Sequence, residues 1–424
     1  MLKTTATPLA HQFFAGLVLL CFLSYTSQSA FALEPQDLEL LKKIQKDSFQ
    51  YFLVYSDPET GLTLDSSRSG SPASIAATGF ALAAISVAST NGWLSYREAY
   101  QRIDRTLNTL EHKAAKKNGF FYHFLDPKTG NRAWGSEVSS IDTALLMAGV
   151  LIAAASFRGT EIETRARKLY EEVDWPWMLN NTFLFAHGWK PDQGFLPYYW
   201  DTYSEHLILQ ALALGSETHP VPEQVWEEWE RRKDSYNGTE IVYSYTGSLF
   251  TYQFPHAFID FRDLNDREVN YATNSEKATV ANQEFCALHS AEFESYQQER
   301  WGLSACLGPD GYKAYGAEPG IAYHDGTIAV HASIGSIVFT PEASMRMIRT
   351  LYDEFGDQLY GRFGFKGSFN LDRNWWANEY LAIDQGLIVL MLENYLHDGA
   401  VWMRFMSNPE IERWVKRTNL KSAA

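Results

Sequence analysis

The stretch Gly194–Gly215 reads GFLPYYWDTYSEHLILQALALG and sets the carboxylate of Glu205 directly behind a run of aromatic residues. Apolar spacing predicts a helix over 201–215, with Glu205 in its first turn. Free N–H groups and the helix dipole stabilise a negative charge there. That accounts for the charge but not for Tyr198, Tyr199, Trp200 and Tyr203 around it. Other acids stand at matching places: Glu137 and Asp142 in SEVSSIDTALL, Asp325 in YHDGTIAVH, Glu379 and Asp384 in NEYLAIDQGLIVLML. One such acid is a cap or a buried hydrogen-bonding group. Several at one end of a helix ring point into one cleft, where they supply a raised-pKa acid and an ionised base.

Aromatic residues make up 15% of the chain, and many fall in loops that begin with glycine. Tyr122, Trp134, Trp189, Tyr199, Trp200, Tyr203, Trp375 and Trp376 are candidate sugar contacts, with His123, His324 and Glu379 beside them. Flat rings suit the C–H faces of a sugar, while carboxylates and amides bind its hydroxyls. Other chemistries find no support in the sequence. No His-Glu-x-x-His motif, clustered Cys/His spacing, Gly-x-Ser-x-Gly elbow or Walker loop occurs. Asp57-Pro-Glu-Thr-Gly61 and Asp126-Pro-Lys-Thr-Gly130 read as ordinary turns rather than calcium loops. Metal and nucleophile readings therefore fare worse than an acid–base one.

Helical periodicity runs through most of the chain and marks twelve segments: 36–55, 72–91, 95–117, 137–157, 161–173, 201–215, 222–232, 246–259, 267–296, 323–338, 341–356 and 378–398. Some, such as SIAATGFALAAISVAS and DTALLMAGVLIAAAS, have almost no charge and must be buried all round. Others, such as 95–117 and 161–173, are amphipathic, as an outer layer should be. Between them recur GFFYHFLDPKTGNRAW, GFLPYYWD, GYKAYGAEPG and GFKGSFNLDRNWW, each opening on glycine plus an aromatic and reading as a short strand or hairpin. Repeated pairs of this kind suggest two concentric rings of six helices, an all-α (α/α)6 barrel with its loops forming a cleft at one end.

The segments SIAATGFALAA, GFFYHFLDPKTGNRAWGSEVSSIDTALLMAG, GWKPDQGFLPYYWDTYSEHLILQALALGSETHP and IDQGLIVLMLENY occur in this order. Over about Leu38 to Asn394 the chain resembles the glucoamylase-like domain of bacterial proteins, and within that group glycoside hydrolase family 144, which acts on β-1,2-glucan. The resemblance implies an (α/α)6 barrel and an inverting glycosidase without a cofactor. It implies Glu205 as general acid, Asp384 as base or water-organising carboxylate, and Asp142 and Glu137 as supporting acids.

The first 32 residues contain Lys3, the apolar run Phe13–Leu23 and Ala30-Phe31-Ala32, the parts of a secretory signal peptide cut after Ala32. An exported periplasmic or secreted protein, residues 33–424, is expected to form one barrel domain. Its 35 basic residues against 51 acidic leave a charge of −16, from −15 for the full chain. Such a surface disfavours nucleic acid and anionic membranes and favours a neutral glucan or oligosaccharide. Cys286 and Cys306 remain after the leader, and their spacing leaves pairing open. Endo and exo action both stay open, as do transglycosylation and a non-catalytic glycan-binding barrel. Segment 260–322 is the candidate for blocking one end of the cleft.

Overall fold

A helix with no polar face has to be covered on every side. In the computed structural model, which describes residues 33–267 and 269–422, the chain folds around such helices. The leader expected over 1–32 lies outside the described residues. In chain order the helices are α1 (Pro35–Val54), α2 (Ile75–Thr90), α3 (Tyr96–His112), α4 (Ser140–Ser156), α5 (Glu161–Glu171), α6 (Leu207–Gly215) and α7 (Gln224–Glu228). There follow α8 (Phe250–Phe258), α9 (Tyr271–Leu288), α10 (Val330–Gly335), α11 (Pro341–Leu359), α12 (Ala382–Leu396), α13 (Ala400–Met406) and α14 (Pro409–Arg417). None of them is long and apolar enough to cross a membrane.

The apolar helices form a closed inner ring. Helix α2 packs on α4, α4 on α6, α6 on α8, α8 on α10, α10 on α12, and α12 returns to α2. Every residue of α2 from Ile75 to Ala88 is buried. Its closeness to α4 depends on two glycines, since a Cβ on Gly79 would stand 2.4 Å from the Leu145 carbonyl oxygen and one on Gly149 2.0 Å from that of Gly79. Around this ring lie α1 against α12 and α2, α3 against α2, α5 against α4, α9 against α8, and α11 against α10. The architecture is an (α/α)6 barrel.

One outer position departs from the sequence reading. Segment 222–232 yields only the short α7, and the helix packed on α6 is α14, from the far end of the chain. Arg167 and the buried Glu410 pair at 3.0 Å across this region, and a Cβ on Gly215 would meet the Glu410 carbonyl oxygen. The last expected segment stops at 398, so α13 and α14 are additions. Short antiparallel strands fill the expected loops: 73–74 with 124–125, 138–139 with 188–189, 194–195 with 189–190, and 368–369 with 328–329 and 376. The strands at 73–74, 138–139 and 328–329 run directly into α2, α4 and α10, so their pairing fixes where each inner helix begins. Cys286 and Cys306 are both buried free thiols. Both Asp-Pro turns are closed by their own carboxylates, Asp57 accepting from the Thr60 N–H at 2.9 Å and Asp126 from that of Thr129 at 2.8 Å.

Candidate active site

The inner helices bring their N-terminal ends to one place. Ala76 of α2, Ile141, Asp142 and Leu145 of α4, Phe250 and Phe254 of α8, and Leu381 and Ile383 at the start of α12 line a cleft of about 420 Å³. Asp65, Ser66, Arg68, His123, Phe124, Trp134, Glu205, Leu307, Tyr312 and Glu379 complete its wall. Most of that wall is apolar, with four carboxylates set into it. Such a lining excludes water while leaving a few polar groups to orient a ligand.

Glu205 stands not inside α6 but in the turn just before it, two residues ahead of Leu207. The helix expected from 201 starts six residues later, and residues 201–206 form a loop. Glu205 is 9% exposed and opens on the cleft. Burial pushes its carboxyl up to about 7, against the Ser204 hydroxyl and a backbone N–H, while the negative charge of Asp142 adds to the rise. This is a carboxylic acid that keeps its proton near neutral pH.

Asp142 occupies the third position of α4. Its backbone N–H donates to the capping Ser139 hydroxyl at 3.2 Å, and that hydroxyl donates to the Asp142 carboxylate at 2.5 Å. His123 lies between Asp142 and Glu137: its Nδ1 is 3.0 Å from Glu137 and its Nε2 3.6 Å from Asp142. Burial opposes a charge on this ring, but Asp142, Glu137 and Asp65 outweigh it and raise His123 to about 9. The same contact lowers Glu137. Each of the three residues offers an atom within 4.8 Å of the others, a spacing that a metal ion could span. Both ring nitrogens face carboxylate oxygens, however, which is the arrangement of an imidazolium between two acids. A metal ligand would need one nitrogen stripped of its proton.

Asp65, which the sequence reading missed, also lines the cleft. Burial raises it to about 6, opposed by His123 and helped by Asp142, Asp384 and Glu379. Its signal was an acid in the loop ahead of an inner helix, as with Glu137. Asp384, the carboxylate that the resemblance implies as base or water organiser, is buried. It sits at the third position of α12, its neighbours Leu381 and Ile383 reach the cleft, and its own side chain is 3% exposed with His331 Nδ1 at 3.2 Å. It is enclosed, and its charge acts on the cleft residues Asp65 and Tyr312.

The aromatic candidates divide. Trp134 is 62% exposed on the cleft, packs on Phe124 at 5.0 Å and holds a left-handed φ of 54°. Tyr203 is fully buried among Trp229, Tyr252 and Tyr271, so it belongs to the core. His324 packs against Phe285, His289 and Phe293, away from the cleft. Trp376 stacks on Phe369, and neither it nor Trp375 lines the cleft. Nor do Tyr122, under the Arg132 guanidinium, Trp189, against Trp177, or Tyr199, which accepts from Asn180. Trp200 stacks on His187 at 4.0 Å and donates to Ser140 at 3.0 Å, anchoring the start of α4 from behind. Tyr122, Trp189, Trp200 and Trp376 are half-buried and pack their rings on neighbouring side chains. Tyr312, Phe250 and Phe254 supply rings in their stead.

Residues 197–409, half of the chain, match the family described as "Putative glucoamylase"; this part holds Glu205 and four of the six inner-ring helices, α6, α8, α10 and α12. The chain belongs to this family. Over 90% of its length it is 28% identical to the exo β-1,2-glucooligosaccharide sophorohydrolase (non-reducing end) of Parabacteroides distasonis, and it spans 58% of that relative. Among solved structures, the endo-β-1,2-glucanase of Chitinophaga pinensis with sophorotriose and glucose is 27% identical, with a TM-score of 0.86 over 92% of this chain and 99% of that one. The putative glucoamylase of Bacteroides uniformis is 28% identical, with the same TM-score and coverage.

Proposed function

We propose that the protein is a glycoside hydrolase that cleaves β-1,2-linked glucan with inversion. The observation that carries this reading is Glu205, a buried carboxyl raised to about 7 and opening on a mostly apolar cleft that also holds Asp65, Asp142 and Glu379. In that role its proton goes to the glycosidic oxygen as the bond to the anomeric carbon breaks. A water attacks that carbon from the opposite face and gives its proton to a carboxylate base. The names of the relatives direct the reading to β-1,2-linked glucose. An acidic cleft in a chain of net charge −15 favours a neutral sugar.

Two carboxylates compete for the base. Asp142 has 14% of its side chain exposed and lines the cleft, so a water can reach it. Asp384 is enclosed with His331, yet its charge is felt by the cleft residues Asp65 and Tyr312. We assign the base to Asp142 and a positioning role to Asp384. The signal-peptide pattern of residues 1–32 supports action outside the cytoplasm.

The test is incubation with β-1,2-, β-1,3-, β-1,4- and α-1,4-glucans, followed by product chromatography. Release of sophorose or short β-1,2 oligosaccharides from the first alone is expected. Cleavage of another linkage in preference would defeat the substrate assignment. Asp142→Asn is expected to lose turnover by about a hundredfold or more, with substrate binding retained. If Asp384→Asn loses activity that far while Asp142→Asn does not, the base assignment passes to Asp384.

A further inference from the structure

Beside the cleft lies a second, shallower depression of about 230 Å³, lined by Thr202, Arg232, Asp234, Tyr243, Tyr245, Gly320 and Ile321. Three chain segments border both. The turn before α6 gives Thr202 to the outer depression and Glu205 to the cleft. The segment leading into α8 gives Tyr243 and Tyr245 to the one and Phe250 to the other. The hairpin region 305–321 gives Ile321 outside and Leu307 and Tyr312 inside. The depression and the cleft thus share the segments that border them.

The surface there is built rather than incidental. Tyr245 is 63% exposed and Ile321 58%, although both belong to tightly locked loops. The Ile321 N–H donates to the Tyr245 carbonyl at 3.0 Å and the Ala317 N–H to that of Gly247 at 3.2 Å. A Cβ on Gly247 would lie 1.9 Å from the Ala317 carbonyl oxygen, and one on Gly316 2.0 Å from that of Thr246. Two backbones this close fix the segment that carries Tyr245, whose side chain faces solvent. Rigid aromatic faces with a guanidinium and a carboxylate at the rim match a hexose, which offers a C–H face and a ring of hydroxyls.

We propose that this depression is an outer sugar-binding subsite, with Tyr245 as its platform, which engages glucan chains longer than the cleft alone can hold. The inference rests on the glycosidase reading above. A ring added to a bound chain tightens binding of long substrates and leaves the bond-breaking step untouched.

The experiment compares KM and kcat for the shortest β-1,2-gluco-oligosaccharide that the enzyme cleaves and for a long β-1,2-glucan, in the full-length protein and in Tyr245→Ala and Tyr245→Phe. Tyr245→Ala is expected to raise KM for the long chain about fivefold, with kcat and the short-substrate KM unchanged. Tyr245→Phe keeps the ring and is expected to match the parent protein. If the KM ratio of long to short substrate does not move in Tyr245→Ala, or if Tyr245→Phe loses as much, the outer subsite is overturned while the glycosidase reading stands. If the parent protein cleaves no β-1,2-glucan, the glycosidase reading fails and the subsite with it.

Discussion

A glutamate in an unfolded chain ionises near pH 4.5, whereas the Glu205 carboxyl keeps its proton to about pH 7 because burial penalises the charge. The folded chain therefore binds this proton more tightly than the unfolded one. Stability from that proton is fully present below about pH 4.5 and is lost as pH rises through 7. Glu205→Gln removes the ionisation and should lose about a hundredfold or more in turnover. The same variant should be more stable than the parent at pH 8, by on the order of 2 kcal/mol, with the gap closing near pH 4.5. Thermal melts across pH check this, and a gap that stays constant with pH would remove Glu205 as its source. Hydrolysis by the parent should fall on the alkaline side with an apparent pKa near 7, read from a kcat/KM profile. At this scale Glu205, Asp142, His123, Glu379 and Trp134 were legible in the sequence as chemistry-bearing groups ahead of inner helices. Asp65 was not, because LTLDSSRSG has no helical period to tie it to α2. Tyr203 misled because adjacent side chains in a turn diverge: Glu205 opens on the cleft, while Tyr203 turns into the core.

Helices carry these groups, and their spacing depends on what the inner ring omits. Gly79→Ala would drive a methyl group into the backbone of α4 near Leu145 and Leu146. Backbone cannot rotate aside as a side chain can, so the two helices must separate, at a cost of roughly 1–3 kcal/mol. Thermal unfolding should show the loss, and turnover should fall with it because α4 carries Asp142. Gly356, in α11, has nothing within 4 Å of its added Cβ and no left-handed backbone angle. Gly356→Ala should leave stability unchanged or raise it by up to about 1 kcal/mol. Equal losses from both substitutions would show that close approach of α2 and α4 is not what sets the ring. The division into uncharged and amphipathic helices was readable because burial dictates side-chain polarity directly. The partner of α6 was not, since α7 and α14 are both short amphipathic stretches and only three-dimensional closure chooses between them.

For the whole molecule, the reaction course is the sharpest check. Inversion at a β-linked glucose should release the α-anomer first, observable by proton NMR before mutarotation, and a first-formed β-anomer would reverse the mechanism. The substrate linkage could not be read from barrel periodicity, because a ring of helices fixes where a cleft lies and not which hydroxyls it recognises.

The placement of α14 on α6 also has a consequence in time. While the polypeptide is being made, α6 emerges with one flank bare and stays so until nearly two hundred residues later, on the order of ten seconds or more at ordinary synthesis rates. Meanwhile α1, the first helix, waits for α12. The ring itself therefore cannot close until its last helices have been made, although α2 to α5 can already pack on one another. Such sequence-distant pairings slow folding.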